Sequence, residues 1–298
     1  MMTTKGRGVS WSRSYKWYLF LAPVLLGILL FMVYPVVESF RLSFMKSNGF
    51  TESWRGLRNY EIVLTNSLFW KSVWNTFYIT FFNILLVIPI AFILASVINS
   101  MHYGKNLVKG TFFVSYITPT IAATTVFLFV FHPQGIANQL IGLLGLGPVS
   151  WLTRPVTAQW SVILYAVWKN LGFNMIIFIA NLQTVPSELY EAAAIDGSNS
   201  VQSWRYITIP QMGSAIVLLT IMGWIGGLQR FSDVYIFGNG TAGSPERALY
   251  TMVTFIYDRG FGSFEFGVAA AAAYILFVII ILFTLISRKV GRAGAARL

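Results

Sequence analysis

The chain has 298 residues, of which 56% are hydrophobic and only 10% charged, and its mean hydropathy is +0.67. Soluble domains carry about 25% charged residues, so this composition belongs to a polytopic membrane protein and excludes a disordered or disulfide-stapled chain. With no cysteine and only two histidines, His102 and His132, the sequence offers no thiol nucleophile, iron–sulfur ligation or zinc cluster.

The net charge of +11 is explained by where the cations lie. Lys5, Arg7, Arg13 and Lys16 precede the first apolar run, and Arg288, Lys289, Arg292 and Arg297 follow the last. Neither tail, 1–16 or 288–298, contains an acid, so these two segments supply eight of the net eleven charges. That is the positive-inside pattern, which places both tails in the cytoplasm. No aromatic or glycine-rich recognition motif is interleaved with these cations, so no nucleic-acid partner is expected.

A membrane-crossing helix needs about 20 apolar residues, and the uncharged stretches of that length predict an all-α polytopic domain over 17–287. In chain order the spans are Trp17 to Val37, Val73 to Ile98, Phe112 to Phe131, Pro155 to Gln183, Tyr206 to Gln229 and Phe266 to Ser287. The first run is longer than the roughly 7–15-residue core of a cleavable signal and no A-x-A site follows, so it is expected to stay as a span. Six spans return the chain to its starting side, consistent with two cytoplasmic tails. Loops 38–71, 132–155 and 230–263 then face outward, while 99–109 and 184–210 face the cytoplasm.

Within the second outer loop, residues 135–144 repeat apolar positions at helical spacing and predict a short interfacial helix, with Trp151 as its headgroup anchor. In the third, Asn239-Gly240-Thr241 matches a glycosylation sequon, and a turn is the simpler reading.

The 184–210 loop is unusual for this side of a membrane, because it holds Glu188, Glu191 and Asp196 against a single Arg205. Pro186 and Ser187 can open a helix, Glu188 complements its positive N-terminus, and Gly197 can supply a left-handed stop. A second turn and helix through Trp204, Arg205 and Tyr206 leads to Pro210. Glu188, Glu191, Ala192 and Ile195 share a face at helical spacing. Two acids beside small side chains suit either a docking helix for a soluble protein or a capped, solvated connector.

Intramembrane polar residues mark the candidate path. Lys169 lies midway along the fourth span, and Asn170 and Phe173 follow on the same helical side. A lysine at that depth faces a water-filled cavity or pairs with an acid of a neighbouring subunit. Amide and ammonium donors beside a ring suit a sugar, whose hydroxyls take hydrogen bonds and whose C–H faces stack on aromatics. Gln229 is a further candidate at the end of the fifth span, where Arg230 and Asp233 are spaced to pair with each other. Asn75, Asn83, Tyr78, Tyr116 and Tyr274 read as interhelical hydrogen-bonding groups, and Ala269 to Ala273 as a tight helix face toward another chain.

Glu191-Ala192-Ala193, three residues, Gly197, nine residues, then Ile207-Thr208-Ile209-Pro210 resembles the E-A-A-x3-G-x9-I-x-L-P loop of binding-protein-dependent ABC transporter permeases, with Ile209 in place of leucine. Leu19-Phe20-Leu21-Ala22-Pro23, Tyr34-Pro35, Asn59-Tyr60, Asn75-Thr76, Pro119, Gly135 with Asn138, Ile256-Tyr257 and Gly267 to Ala271 extend the likeness toward the maltose-type sugar permeases. Where that subfamily has T-x-G-G-P, this chain reads Gly238 to Pro245.

The resemblance implies the six-helix type I importer permease fold in a bacterial cytoplasmic (inner) membrane, multi-pass, with lipid around it. It implies a second homologous permease subunit, a cytoplasmic ABC ATPase dimer and an extracytoplasmic solute-binding protein. Glu191, Ala192, Ala193 and Gly197, with Glu188 and Asp196 beside them, would form the ATPase joint. Trp168 matches a tryptophan of the segment that lines the family's substrate cavity. The sequence contains no G-x-x-x-x-G-K-[ST] phosphate loop, so no cofactor is expected on this chain, ATP and Mg²⁺ belonging to the partner ATPases. Two other readings stay open: a permease of the same fold for a phosphorylated polyol, with Lys169 and Arg230 serving the phosphate, and a stand-alone secondary transporter or channel. A membrane enzyme is not expected, because no paired carboxylates or activated nucleophile share one depth.

Overall fold

The computed structural model describes residues 11–295, with side-chain surroundings for 19–289. Of the two expected basic tails, Lys5, Arg7 and Arg297 lie outside the described residues, as do the side chains of Arg13, Lys16 and Arg292.

The chain opens with α1 (Trp11–Ile28), which passes through one wider π-type turn, Leu29–Val33, into α2 (Tyr34–Ser43). A small antiparallel hairpin follows, β1 (Met45–Ser47) and β2 (Glu52–Trp54), with Met45 opposite Trp54. After α3 (Arg58–Thr65), Asn66 accepts the backbone N–H groups of Leu68 and Phe69 and so starts α4 (Ser67–Ser100). That cap opens the helix six residues before the expected Val73. Next come α5 (Lys105–Ile117), α6 (Thr120–Val130), α7 (Ile136–Leu143) and α8 (Pro155–Leu182). The remaining helices are α9 (Ser187–Ile195), α10 (Ser200–Ser203), α11 (Ile209–Gln211), α12 (Gly213–Leu228), α13 (Ser232–Phe237), α14 (Met252–Tyr257) and α15 (Phe266–Ala295).

Among the described residues, four stretches are long and apolar enough to cross a bilayer: Leu19–Ser43, Ser67–Ser100, Pro155–Leu182 and Phe266–Lys289. Two bent pairs supply one more each, giving six. The bends correct two expected spans. Phe112 to Phe131 is not one rod, because α5 and α6 meet at 97° across Thr118-Pro119. Pro119 has no N–H to give the Ser115 carbonyl and pushes Thr118 out of helical geometry, to φ −60° and ψ 133°. Tyr206 to Gln229 also divides, with 57° between Ser200–Gln211 and α12 at Met212.

The core lies where α4 and α8 pack along their lengths, joined by α12. Phe92 and Ala95 of α4 meet Met175 and Phe178 of α8 and Leu219 of α12, all buried. A second cluster joins Phe69, Leu228 and Phe255 to Ala271 and Ala272 of α15. Of the alanine run Ala269 to Ala273, the first four residues are buried by their own chain and Ala273 is half-buried, which corrects the run's expected role as a face for another chain. Small side chains there let α15 approach α12 and α14 closely.

By contrast, no residue of the most apolar window of Leu19–Ser43 is buried, and Phe20 and Phe31 are 81% and 85% exposed. This window, from Leu19 onward, thus needs lipid or another chain as its surroundings.

Of the five intramembrane polar groups read as interhelical links, two are so used. Asn75 donates to the carbonyls of Arg247 and Tyr250 and accepts from Gln159 of α8, while the Tyr274 hydroxyl donates to Val36 O at 2.6 Å. Tyr78 and Tyr116 pack through their rings, and Asn83 has a buried amide nitrogen without a partner. The short helix α7 stands where periodicity placed it. Trp151 is fastened to that helix, its indole N–H donating to Asn138 Oδ1 and its ring packing on Phe131. Asn239 sits at φ +56° before a single 3₁₀ turn, so the sequon is a turn.

Candidate functional site

The 184–210 loop is built as two short helices at an angle. At the end of α9, Ser198 N–H donates to Ala193 O at 2.8 Å and Gly197 N–H to Ala194 O at 3.1 Å, with Gly197 at φ +78°. This pairing closes the orphan carbonyls of α9 and requires a left-handed residue. Asn199 and Gln202 then form a reciprocal cap that starts α10. Glu188, Glu191, Ala192, Ile195, Asp196 and Gly197 are all exposed, Ile195 at 87%, while Ala193 is half-buried.

Two links fasten this exposed ridge to the bundle. The Tyr190 and Thr208 hydroxyls lie 3.0 Å apart, tying α9 to the return segment. Trp204, just after α10, donates its indole N–H to Ser96 Oγ at 3.1 Å and stacks on Phe92 at 5.3 Å. Phe92 in turn packs on Phe178 of α8. These aromatic contacts join the α9–α10 loop to the α4–α8 pair. Nothing in the loop motif singles out Trp204 for this work.

Deeper in the bundle, two cavities adjoin. The first, about 250 Å³, is lined by Asn83, Tyr116, Asn170, Phe173, Asn174 and Arg230 together with small and aliphatic residues of α4 and α12. The second, about 460 Å³, shares Tyr116, Asn170, Gly226 and Arg230 and adds Lys169, Tyr165 and the Thr118–Thr120 bend. Phe173 stacks on Tyr116 at 4.8 Å, giving the wall an aromatic face. Asn83 Nδ2, Thr80 Oγ1 and Arg230 Nε are buried without a protein partner. Such atoms in an apolar interior cost about 1–3 kcal/mol each. Asn83 and Arg230 belong to the first cavity's lining, whereas Thr80 lines neither cavity and packs against Gly227.

Three of the four expected path residues line these cavities, but not all in the expected way. Asn170 and Phe173 face the first cavity. Lys169 borders the second, yet its ammonium donates to Ser115 O and Tyr116 O at 3.0 Å and to Thr118 O, so it pairs with backbone rather than with an acid. Gln229 is exposed and outside both linings, because the helix ends there and its side chain leaves the bundle. Arg230 and Asp233 do pair, both nearly buried. Asn83 and Asn174 join the lining although sequence reasoning had not placed them in the path, and Arg230, considered there only for a phosphate, joins it as well. Asn83 carried a signal, being an amide mid-span, whereas the ion pair concealed Arg230.

The family pattern described as "Binding-protein-dependent transport system inner membrane component" matches residues 87–293, which include both the cavities' α8 and α12 walls and the loop. The chain belongs to this family. Among relatives of this permease is the arabinooligosaccharides transport system permease protein of Bacillus subtilis (strain 168), 33% identical over 96% of this chain and 91% of that one. The trehalose/maltose transport system permease protein of Thermococcus litoralis is 29% identical over 92% and 93%. In three dimensions the permease overlays a chain of a bacterial alginate ABC transporter, solved with an alginate pentasaccharide-bound periplasmic protein. The TM-score is 0.82 at 20% identity, covering 95% of this chain and 96% of that one. The type I importer permease fold is thus established, with the small hairpin as an addition to the helices among the described residues.

Proposed function

We propose that this permease carries a sugar or oligosaccharide, and that the paired cavities are its share of the path. The observation that carries the reading is the lining: side-chain amides of Asn83, Asn170 and Asn174 beside an aromatic face from Tyr116 and Phe173. The Asn170 and Asn174 N–H groups are bonded to their own helix, and their amide oxygens are left as acceptors. Hydroxyl-rich, uncharged ligands match that chemistry. A phosphorylated polyol needs an available cation, and here Arg230 is neutralised by Asp233 while the protons of Lys169 are directed at three carbonyls. The names of relatives, which concern arabinooligosaccharides, trehalose and maltose, agree.

The exposed ridge of α9 is the joint for a cytoplasmic ATPase pair that binds ATP and Mg²⁺. Glu188, Glu191 and Asp196 give it acidic character, Ala192 and Ala193 allow close approach, and Gly197 makes the corner. A second permease subunit lies against the uncovered stretch of α1 from Leu19 onward, with lipid over the rest. Both termini are cytoplasmic, and the β1–β2 hairpin end of the bundle faces the solute-binding protein. Alternating access follows if ATP binding favours one of two arrangements of this assembly.

Uptake of labelled arabinotriose, maltotriose, trehalose and glycerol 3-phosphate into vesicles holding the whole complex tests the substrate class. Saturable uptake of one or more of the sugars supports it. Uptake of glycerol 3-phosphate alone contradicts it.

A further inference from the structure

The geometry points to Lys169 as the latch of the broken α5–α6 span: a positioning residue that holds the bent wall of the path and makes no bond to the transported molecule. This rests on the path reading above for its consequence in transport, and on backbone chemistry alone for the latch itself.

A break inside a membrane span leaves carbonyls that lipid cannot satisfy. Ser115 O loses its helical partner because residue 119 is proline, and Tyr116 O loses its own because Thr120 N–H turns away with α6. Thr118 is extended and lies between the two helices, outside both. Lys169 reaches all three from α8. An ammonium has three protons and no acceptor, so three carbonyls match it fully. Its charge also suits the negative C-terminal end of α5.

Neighbours at helical spacing along α8 complete the grip. One turn before, the Tyr165 hydroxyl donates to Thr120 O at 3.2 Å, which holds the α6 arm. Three residues after, Gly172 lies directly on the Phe112 and Phe113 backbone of the α5 arm, where a Cβ has no room. Phe173 then stacks on Tyr116. One face of α8 therefore fixes both arms of a 97° bend, and that bend forms the wall of the second cavity. A free, ligand-seeking lysine would show at least one proton directed into the cavity.

The chain has no cysteine, so spin labels go directly on Leu107→Cys and Phe129→Cys, exposed positions on the two arms. In the assembled transporter, the unmodified latch gives a single narrow inter-label distance. Lys169→Met is expected to broaden that distribution and lower the maximal uptake rate of the transported sugar about tenfold, with its KM unchanged. Lys169→Arg, whose guanidinium keeps several donors, restores most of both. If Lys169→Met does not accumulate, Lys169→Gln and Tyr165→Phe are measured instead, and broadening in both supports the latch.

An unchanged distance distribution together with a raised KM overturns the proposal and makes Lys169 a substrate ligand. A broadened distribution in a complex that moves none of the tested sugars leaves the latch standing and removes the sugar reading instead.

Discussion

Asn83 and Thr80 lie one turn apart on α4, each with a buried hydrogen-bonding atom that no protein group meets. Groups of that kind reduce folded stability unless a ligand meets them. Asn83→Leu is therefore expected to leave the melting temperature of the detergent-solubilised complex unchanged or higher while raising the KM for sugar about tenfold. A lower melting temperature with normal KM would assign Asn83 to structure. Gly172 and Gly197 offer a contrast between two uses of glycine. Gly172→Val has no space against the Phe112 backbone and should abolish assembly of the bundle, read as loss of monodisperse protein. Gly197→Ala meets no neighbour but must hold φ +78°, which costs about 1–2 kcal/mol, so the permease should still assemble.

At the level of elements, α9 is where acidity and exposure coincide. Glu191→Lys or Gly197→Asp is expected to remove the ATPase from the purified complex while the permease still folds; unchanged co-purification and uptake in both would contradict this. Trp204→Ala acts differently. It removes the stacking on Phe92 and the bond to Ser96, so the ATPase should stay bound while sugar uptake falls about tenfold, one lost buried aromatic anchor being worth at least 1.4 kcal/mol. Uptake at the wild-type rate would show that force passes elsewhere. The loop was readable because its signals are local: a proline start, a left-handed glycine, acids on one face. The α5–α6 break was equally local, since Thr118-Pro119 stands in the sequence, but apolarity alone runs straight through it. Lys169 was readable as costly and in need of partners. Its true partners, three backbone carbonyls, exist only once the span is broken, so no side-chain pairing rule could identify them.

For the molecule as a whole, hydropathy sufficed to count six crossings, because each must exceed the bilayer's apolar thickness. What hydropathy cannot say is which apolar face meets which neighbour, since lipid, a sister helix and a second chain are alike to it. The alanine run of α15 was thus assigned to another chain although its own chain covers most of it, and α1, which its own chain leaves bare from Leu19 onward, carried no distinguishing mark. If a second permease packs against α1, cross-linking from a cysteine placed at Phe20 or Phe31 should capture that subunit in the intact complex; capture of neither position would leave the rod to lipid. The central claim is that transport through this permease is driven across the α9 joint. Its most direct test is uptake of labelled arabinotriose, maltotriose and trehalose into vesicles containing the full complex, the same complex with Glu191→Lys, or this chain alone. ATP-dependent uptake of one of these sugars by the first preparation only is the expected result, and uptake by the chain alone, without ATPase, would contradict the account.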